Sequence, residues 1–152
     1  PAGGDLPDTK LNPKFEHKIS FLSEIKDKFF KGEQKKTIIV GDFNIAPLPD
    51  DVWSHKALLN VVSHTKMETD LLLEIKKSGN WIDTFREIKP TGKLYSWWSY
   101  RARDWKVSNR GRRLDHIWAS QDLKSKLRKA HIFLEARGWE RPSDHVPILA
   151  VF

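Results

Sequence analysis

Thr37-Ile38-Ile39-Val40-Gly41-Asp42-Phe43-Asn44 is the stretch on which the fold turns. Its first four residues form a short, fully apolar run of strand-forming side chains, which predicts a strand over residues 37–40 ended by Gly41. Asp42 and Asn44 follow, two residues apart and pointing to the same side. They sit just past the C-terminal end of the strand, where α/β folds place ligands. A carboxylate there can hold a hard divalent cation or take a proton from water, and an amide can donate to a phosphoryl oxygen. The same four residues can also form an Asx-turn that only satisfies local backbone, and taken alone they favour that reading.

Outward from this stretch, the pattern is α/β. Asn12-Pro13 reads as a helix start, with Asn as N-cap and Pro at the first helical position. Phe15, Ile19, Leu22, Ile25 and Phe29 recur at helical spacing, so a helix is predicted over residues 13–31, closed by Gly32. A helix leading into a strand by a short link is half of a crossover unit. Downstream, Thr65 caps a helix over residues 65–77, stopped by Gly79. Strands are predicted over 81–86, 94–100, 113–119, 130–134 and 146–152, and a turn or two of helix over 121–127. The sum is an α/β protein with a substantial antiparallel component.

Composition bounds the function classes. The 152 residues, 39% hydrophobic and 31% charged, suit one folded domain or a piece of one. No apolar run approaches bilayer length, so no membrane partner is expected. The lack of Cys excludes a disulfide scaffold and Cys-ligated zinc, and is compatible with a cytoplasmic location. Residues 1–85 carry 12 basic and 13 acidic side chains, whereas residues 86–152 carry 15 and 7. The whole net charge of +7 therefore resides in the second segment. Arg101, Arg103, Lys106, Arg110, Arg112 and Arg113 fall within thirteen positions beside Trp97, Trp98, Tyr100 and Trp105. A charge run is usually a solvated loop. Interleaved aromatics tilt this one toward nucleic acid, which offers bases to stack on as well as phosphate charge to bind.

Three further clusters carry chemistry. Ser143-Asp144-His145 stands before a predicted strand, but adjacent strand residues face opposite ways, so Asp144 and His145 cannot simply pair. His145 needs another carboxylate to fix its tautomer. Arg113-Leu114-Asp115-His116-Ile117 supplies the candidate. Asp115 is a charge in an otherwise apolar strand and wants a cation or imidazole, with a surface pair to Arg113 as the alternative. His116 faces the other way and reads as structural, as do His17, His55, His64 and His131. In Tyr95-Ser96-Trp97-Trp98-Ser99-Tyr100-Arg101, one aromatic face is expected in the core and the other can line a pocket for an extruded sugar or base. Asn109-Arg110-Gly111 next to it offers an amide, a guanidinium and bare backbone, all suited to phosphate.

Taken in order, Gly41-Asp42-Phe43-Asn44, Ser96-Trp97-Trp98-Ser99-Tyr100-Arg101, Asn109-Arg110-Gly111-Arg112-Arg113-Leu114-Asp115-His116 and Ser143-Asp144-His145-Val146-Pro147 resemble the exonuclease III branch of the exonuclease/endonuclease/phosphatase superfamily. Pro1-Ala2-Gly3-Gly4 with Asn12-Pro13-Lys14-Phe15 is similar to that family's middle segment. The resemblance implies Mg²⁺-dependent hydrolysis, with Mn²⁺ as a substitute, of double-stranded DNA at abasic sites and 3′ ends. It implies that Asp42 activates or orients water and Asn44 positions the scissile phosphate. His145, held by Asp115, would stabilise the pentacovalent phosphorane or act as the base. Asp144 and Asp42 would serve the metal. Trp97 and Leu114 would contact a flipped-out deoxyribose, while Arg101, Asn109 and Arg110 would bind DNA. Arg112 departs from the pattern, standing where related enzymes carry an apolar or aromatic residue.

The resemblance also implies a four-layered, DNase I-like α/β sandwich. Members carry a further front segment of roughly one hundred residues, about a small domain. It includes a metal-binding glutamate that maps to nothing here. Residues 1–152 are therefore expected to be the C-terminal portion of one domain, supplying mainly the second sheet and its flanking helices. An uncovered sheet face is expected to pair with the N-terminal portion or with a second copy. The chain by itself is expected to cleave poorly. The competing expectations are a non-catalytic nucleic-acid-binding fragment and a phosphodiesterase or phosphatase of the same superfamily.

Overall fold

The computed structural model describes residues 1–29, 32–102 and 104–152. The expectations placed on the Phe29 side chain, Lys31 and Arg103 lie outside the described residues. Helix α1 spans Pro13–Phe29. Asn12 starts it as its composition requires, its Oδ1 accepting from Lys14 N at 3.0 Å and its carbonyl from the Phe15 and Glu16 amides. Strand β1 (Ile38–Asp42) follows, then the short helix α2 (His55–Leu58) and helix α3 (Lys66–Ser78). Thr65 and Glu68 form a capping box on α3, and Gly79 closes it. The remaining elements are β2 (Ile82–Asp83), α4 (Thr84–Ile88), α5 (Trp105–Ser108), β3 (Asp115–Ala119), β4 (Lys129–Ile132) and β5 (Ile148–Val151).

Two predicted strands are corrected. Residues 81–86 hold only the two-residue β2, because the Asp83 side chain accepts from the Phe85 and Arg86 amides and turns the chain into α4. Residues 94–100 form no strand. Trp97 makes isolated bridges to Arg112 and to His145, and the alternation of faces expected there does not hold. Tyr95, which strand alternation would place on the same face as Trp97, instead packs edge-on against Trp98, their ring centres 5.9 Å apart. Residues 121–126 are a 3₁₀ segment, which accounts for the ambiguous short pattern there.

The strand pairings among the described residues are antiparallel: β1-β3-β2 in one sheet and β4-β5 in a second. Ile39 lies opposite Trp118, and this face takes the helices. There Leu22 of α1, Leu72 and Ile75 of α3, Trp81 and Trp118 form one core, with Ile39 and Phe43 against it. The other face carries Ile38, Val40 and Asp42 beside Ala119, Ile117 and Asp115. Ile38 is 45% exposed and Val40 68%. A fully apolar strand is built to be covered on both faces, and the described elements cover only one.

One buried polar knot ties the loop before α2 to β2 and β3. Arg113, 1% exposed, donates from Nε to Asp51 Oδ1 at 2.7 Å and from Nη2 to Asp83 Oδ2 at 2.7 Å. Arg86 also donates to Asp51. Burial opposes charge on both carboxyls, but Arg113 overrules it and holds Asp51 and Asp83 below the ordinary carboxylate pKa. The surface pair of Arg113 with Asp115 is therefore not formed; Arg113 belongs to the core and Asp115 to the site.

Candidate active site

The strand register brings the central residues together. Asp42 on β1 lies directly opposite Asp115 on β3. Like charges so placed repel, and an imidazole stands between them. His145 Nδ1 is 2.8 Å from Asp115 Oδ2, and its Nε2 is 3.9 Å from Asp42 Oδ2. A carboxylate can only accept, so Asp115 fixes the proton on Nδ1 and leaves Nε2 toward Asp42. The hydrogen bond that His145 donates to Asp115 raises the His145 pKa against the pull of burial. Burial raises the Asp42 pKa, Asp115 adds to it, and the Asn44 amide and His145 oppose.

Local backbone explains why His145 arrives here. Val146 N donates to Ser96 O at 2.8 Å, and Trp98 N to Asp144 O at 2.9 Å, pinning the 143–146 bend to the 96–98 segment. Ser96, fully buried, does a second task that the sequence did not signal. Its hydroxyl donates to Asp115 Oδ2 at 2.6 Å and accepts from the Leu114 and Asp115 amides, locking the carboxylate that locks the imidazole.

Asn44 adopts the Asx-turn in left-handed backbone, φ 53°. Its amide N–H donates to Asp42 Oδ1 at 2.7 Å and its side-chain Nδ2 to Asp42 Oδ2 at 2.8 Å. The Asx-turn reading therefore holds, and it leaves room for the other: the turn orients Asp42, and the amide group keeps a second N–H for another acceptor. Beneath it, buried Lys18 donates from Nζ to Asn44 O at 2.7 Å and pairs with buried Glu68 at 2.6 Å. Burial lowers the Lys18 pKa, and Glu68 opposes that. Lys18 was legible only as the one charged residue on the Phe15–Leu22 apolar stripe.

A cavity of about 620 Å³ opens beside this centre. Asn44, Trp97, Leu114, Arg101, Arg110 and Arg112 line it, with Trp53 and Leu58. The structure thus brings together the expected sugar-contacting and backbone-contacting residues, except Asn109. That side chain accepts from Trp98 Nε1 at 3.1 Å, and its residue caps α5 in left-handed backbone. Trp98 is core, 2% exposed, while Trp97 faces the cavity. Asp144 Oδ2 accepts from Trp97 Nε1 at 2.9 Å, steering the indole. His116 is buried, with Nε2 on Ile45 O, and His55 meets His64 at 2.8 Å away from the centre.

Asp42, Asp115 and His145 each offer a ligand atom within 4.8 Å of the others. The carboxylate oxygens suit a hard divalent cation that keeps waters of its own, whereas the His145 imidazole, held by Asp115, is better placed to act beside such an ion than to ligate it. Asp144, expected among the metal residues, lies outside this trio.

The chain resembles known proteins over most of its length. The model of the Endonuclease/Exonuclease/phosphatase family matches residues 24–145, a span that contains Asp42, Asp115 and His145. An exodeoxyribonuclease III of Haemophilus influenzae is 30% identical over 151 residues, covering 91% of this chain and 55% of the relative. The structure of an AP endonuclease from Archaeoglobus fulgidus superposes with a TM-score of 0.89 at 28% identity, over 100% of this chain and 58% of that one. A 3′-5′ exonuclease from Neisseria meningitidis gives 0.85 at 28%, over 99% and 58%. The chain thus spans a little over half the length of each of these three. The α/β layers described above share their fold with these enzymes, and no described helix is long and apolar enough to cross a membrane. With that family match spanning residues 24–145, well over half of the chain, the chain belongs to the endonuclease/exonuclease/phosphatase family, and its likeness lies with the exonuclease III and AP endonuclease members.

Proposed function

We propose that this chain carries the reaction centre of a metal-dependent DNA-repair nuclease. It would hydrolyse the phosphodiester 5′ to an abasic site and remove nucleotides from 3′ ends. The observation that carries the reading is the acid–imidazole–acid array of Asp42, His145 and Asp115 at the mouth of a cavity that is apolar at Trp97 and Leu114 and cationic at Arg101 and Arg110. Bound at the Asp42 side, Mg²⁺, or Mn²⁺ in its place, would neutralise charge on the phosphoryl oxygens.

The chain's own residues do the rest. Asp42, with its pKa raised and its orientation fixed by Asn44, takes a proton from or aligns the attacking water. Asn44 offers its remaining N–H to the scissile phosphate. His145, cationic over a wider pH range because Asp115 holds it, stabilises charge on the pentacovalent phosphorane. Asp144 acts through Trp97, whose indole it orients against the extruded sugar. Attack in line leaves a 3′-hydroxyl and a 5′-deoxyribose phosphate. Arg101 and Arg110 grip the backbone, and Asn109, held against Trp98, positions that segment.

The apolar face of Ile38 and Val40, with the coverage of 55% of the Haemophilus relative, supports a chain that is one portion of a larger domain. Its partner on that face would be the segment such relatives carry in addition, or a second copy. Turnover by this chain is accordingly expected to be slow. A single-turnover assay with the chain in excess over a duplex bearing one abasic site tests the reading. Mg²⁺-dependent incision 5′ to the lesion, abolished in Asp42→Ala, is expected, together with Mn²⁺ binding by electron paramagnetic resonance that weakens in the same variant. Incision or Mn²⁺ binding indifferent to Asp42→Ala would refute it. Salt-dependent DNA binding that ignores both Mg²⁺ and the lesion would establish the non-catalytic alternative instead.

A further inference from the structure

Arg112 is the cavity cation to which the proposed reaction gives no task. Its Nη1 donates to Ser63 Oγ at 2.8 Å and to Val62 O at 3.1 Å. Its guanidinium carbon lies 5.2 Å from the centre of the Trp97 ring. The support beneath is rigid: the Ser63 amide donates to the buried Glu68 carboxylate at 3.0 Å, and Glu68 is held in turn by Lys18 and by its capping box. The planar fork is therefore held in one place against the cavity wall, at a cost in side-chain freedom that solvent contact alone does not require.

A guanidinium has five N–H donors. Nη1 has committed both of its own. Nε is buried with no acceptor among the described residues, and Nη2 makes no hydrogen bond to them. The cost of a buried, unpaired donor falls on Nε, whereas Nη2 is not a buried unpaired atom and is free to meet an acceptor arriving from outside. Trp97, Leu114, Leu58, Val61 and Val62 give apolar wall beside Arg112 in a lining that also holds polar side chains such as Asn44 and Ser99. None of the described residues accepts from Nη2, so an acceptor can come with the occupant. With Nη1 committed and Nε out of reach, Nη2 is the donor left, which suits a single oxygen better than the paired oxygens of a phosphate.

We propose that Arg112 is a specificity-determining residue, donating from Nη2 to an oxygen on C1′ of the sugar extruded into the cavity. The pocket would then select a natural abasic deoxyribose, which carries a hydroxyl or aldehyde oxygen at C1′, over a sugar with none. This inference rests on the abasic-site reading above.

Tetrahydrofuran, the stable analogue of the lesion, lacks only that oxygen. Fluorescence anisotropy of the chain, in Ca²⁺ to suppress cleavage, would compare three duplexes: natural abasic, tetrahydrofuran and undamaged. A hydrogen bond from a charged donor predicts about tenfold tighter binding to the natural lesion than to the analogue. In Arg112→Met that ratio should fall to about one, while the preference for the analogue over undamaged DNA persists. Arg112→Lys keeps the charge but loses the fork that holds Ser63 while reaching the sugar. It should show the same collapse, and it serves should the Met variant fail to fold. A wild-type ratio near one, or a tenfold ratio that survives in either folded variant, overturns the proposal. Equal binding of all three duplexes by the wild type overturns the lesion-pocket reading itself, and the inference with it.

Discussion

Replacing Arg113 with Met removes the one cation that two buried carboxylates share. In the native chain Arg113 reaches Asp51 through Nε and Nη2, at 2.7 and 2.9 Å, and Asp83 through Nη1 and Nη2, at 3.1 and 2.7 Å. After the change Asp51 keeps Arg86 and the Leu48 amide. Among the described residues, Asp83 keeps the amides of Phe85 and Arg86 alone. Breaking a buried pair from one side costs about 3–5 kcal/mol, against the roughly 5–15 kcal/mol that holds a domain folded. The pH dependence carries the sign. Both carboxyls have depressed native pKa values, so their stabilisation is present above the unfolded carboxylate pKa, about 3.9, and is lost as pH falls through the lower native values. In Arg113→Met burial acts without the cation and raises them. The variant's deficit must then shrink as pH falls from 7 toward 5, because protonation relieves the uncompensated charge. Urea unfolding followed by tryptophan fluorescence, with Trp118 1% exposed as an internal reporter, measures both quantities. A deficit under about 1 kcal/mol at pH 7, or one that does not shrink by pH 5, would refute the account of this knot as a stabilising ion cluster.

Three more outcomes follow from the same geometry. His116 donates from Nε2 to Ile45 O and accepts on Nδ1 from Arg113 Nη1. Burial first and Arg113 second push its pKa down to about 4. The unfolded chain thus binds this proton first, and stability should fall by on the order of 3 kcal/mol between pH 6.5 and 4, an effect that His116→Asn should largely remove from the pH profile. At the site, Asp115→Asn should lower the pKa of His145, read from its imidazole resonances by NMR. In the native chain that raised pKa contributes stability below the ordinary value of 6.5, lost as pH rises through the native value, and the variant should lose this acid-side gain. An unchanged His145 titration would show that Asp115 is not what holds it. Arg101→Ala and Arg110→Ala should each weaken binding to abasic and undamaged DNA alike and flatten the plot of log affinity against log salt by about one. A change in lesion preference alone would place them in the pocket rather than on the backbone.

Local patterns proved legible where a short-range rule was enough. Asn12-Pro13, Thr65 and Gly79 set helix ends within a residue or two, because caps are satisfied by neighbours in sequence. The strand through Ile117 and Trp118 was visible as apolar content, and the pairing of His145 with a carboxylate was visible as a need. The segments read wrongly were those decided by contacts far away. Residues 94–100 look like a strand by composition, yet their neighbours offer Trp97 only single bridges. Residues 81–86 look like a strand until Asp83 turns its carboxylate onto the following amides.

By itself, then, the sequence determined an α/β protein whose motif order places two carboxylates, an amide and an imidazole in one chemistry. Periodicity and caps are local, and residue types limit what a site can do. Only the tertiary structure decided which carboxylate faces which: the register setting Asp42 against Asp115 is a property of two strands more than seventy residues apart. It also decided that Arg113 is core, that Arg112 stacks on Trp97 in the cavity, and that Lys18 and Ser96 hold the centre from beneath. A buried charge or hydroxyl must find its partner in space, and no spacing along the chain reveals where that partner will be.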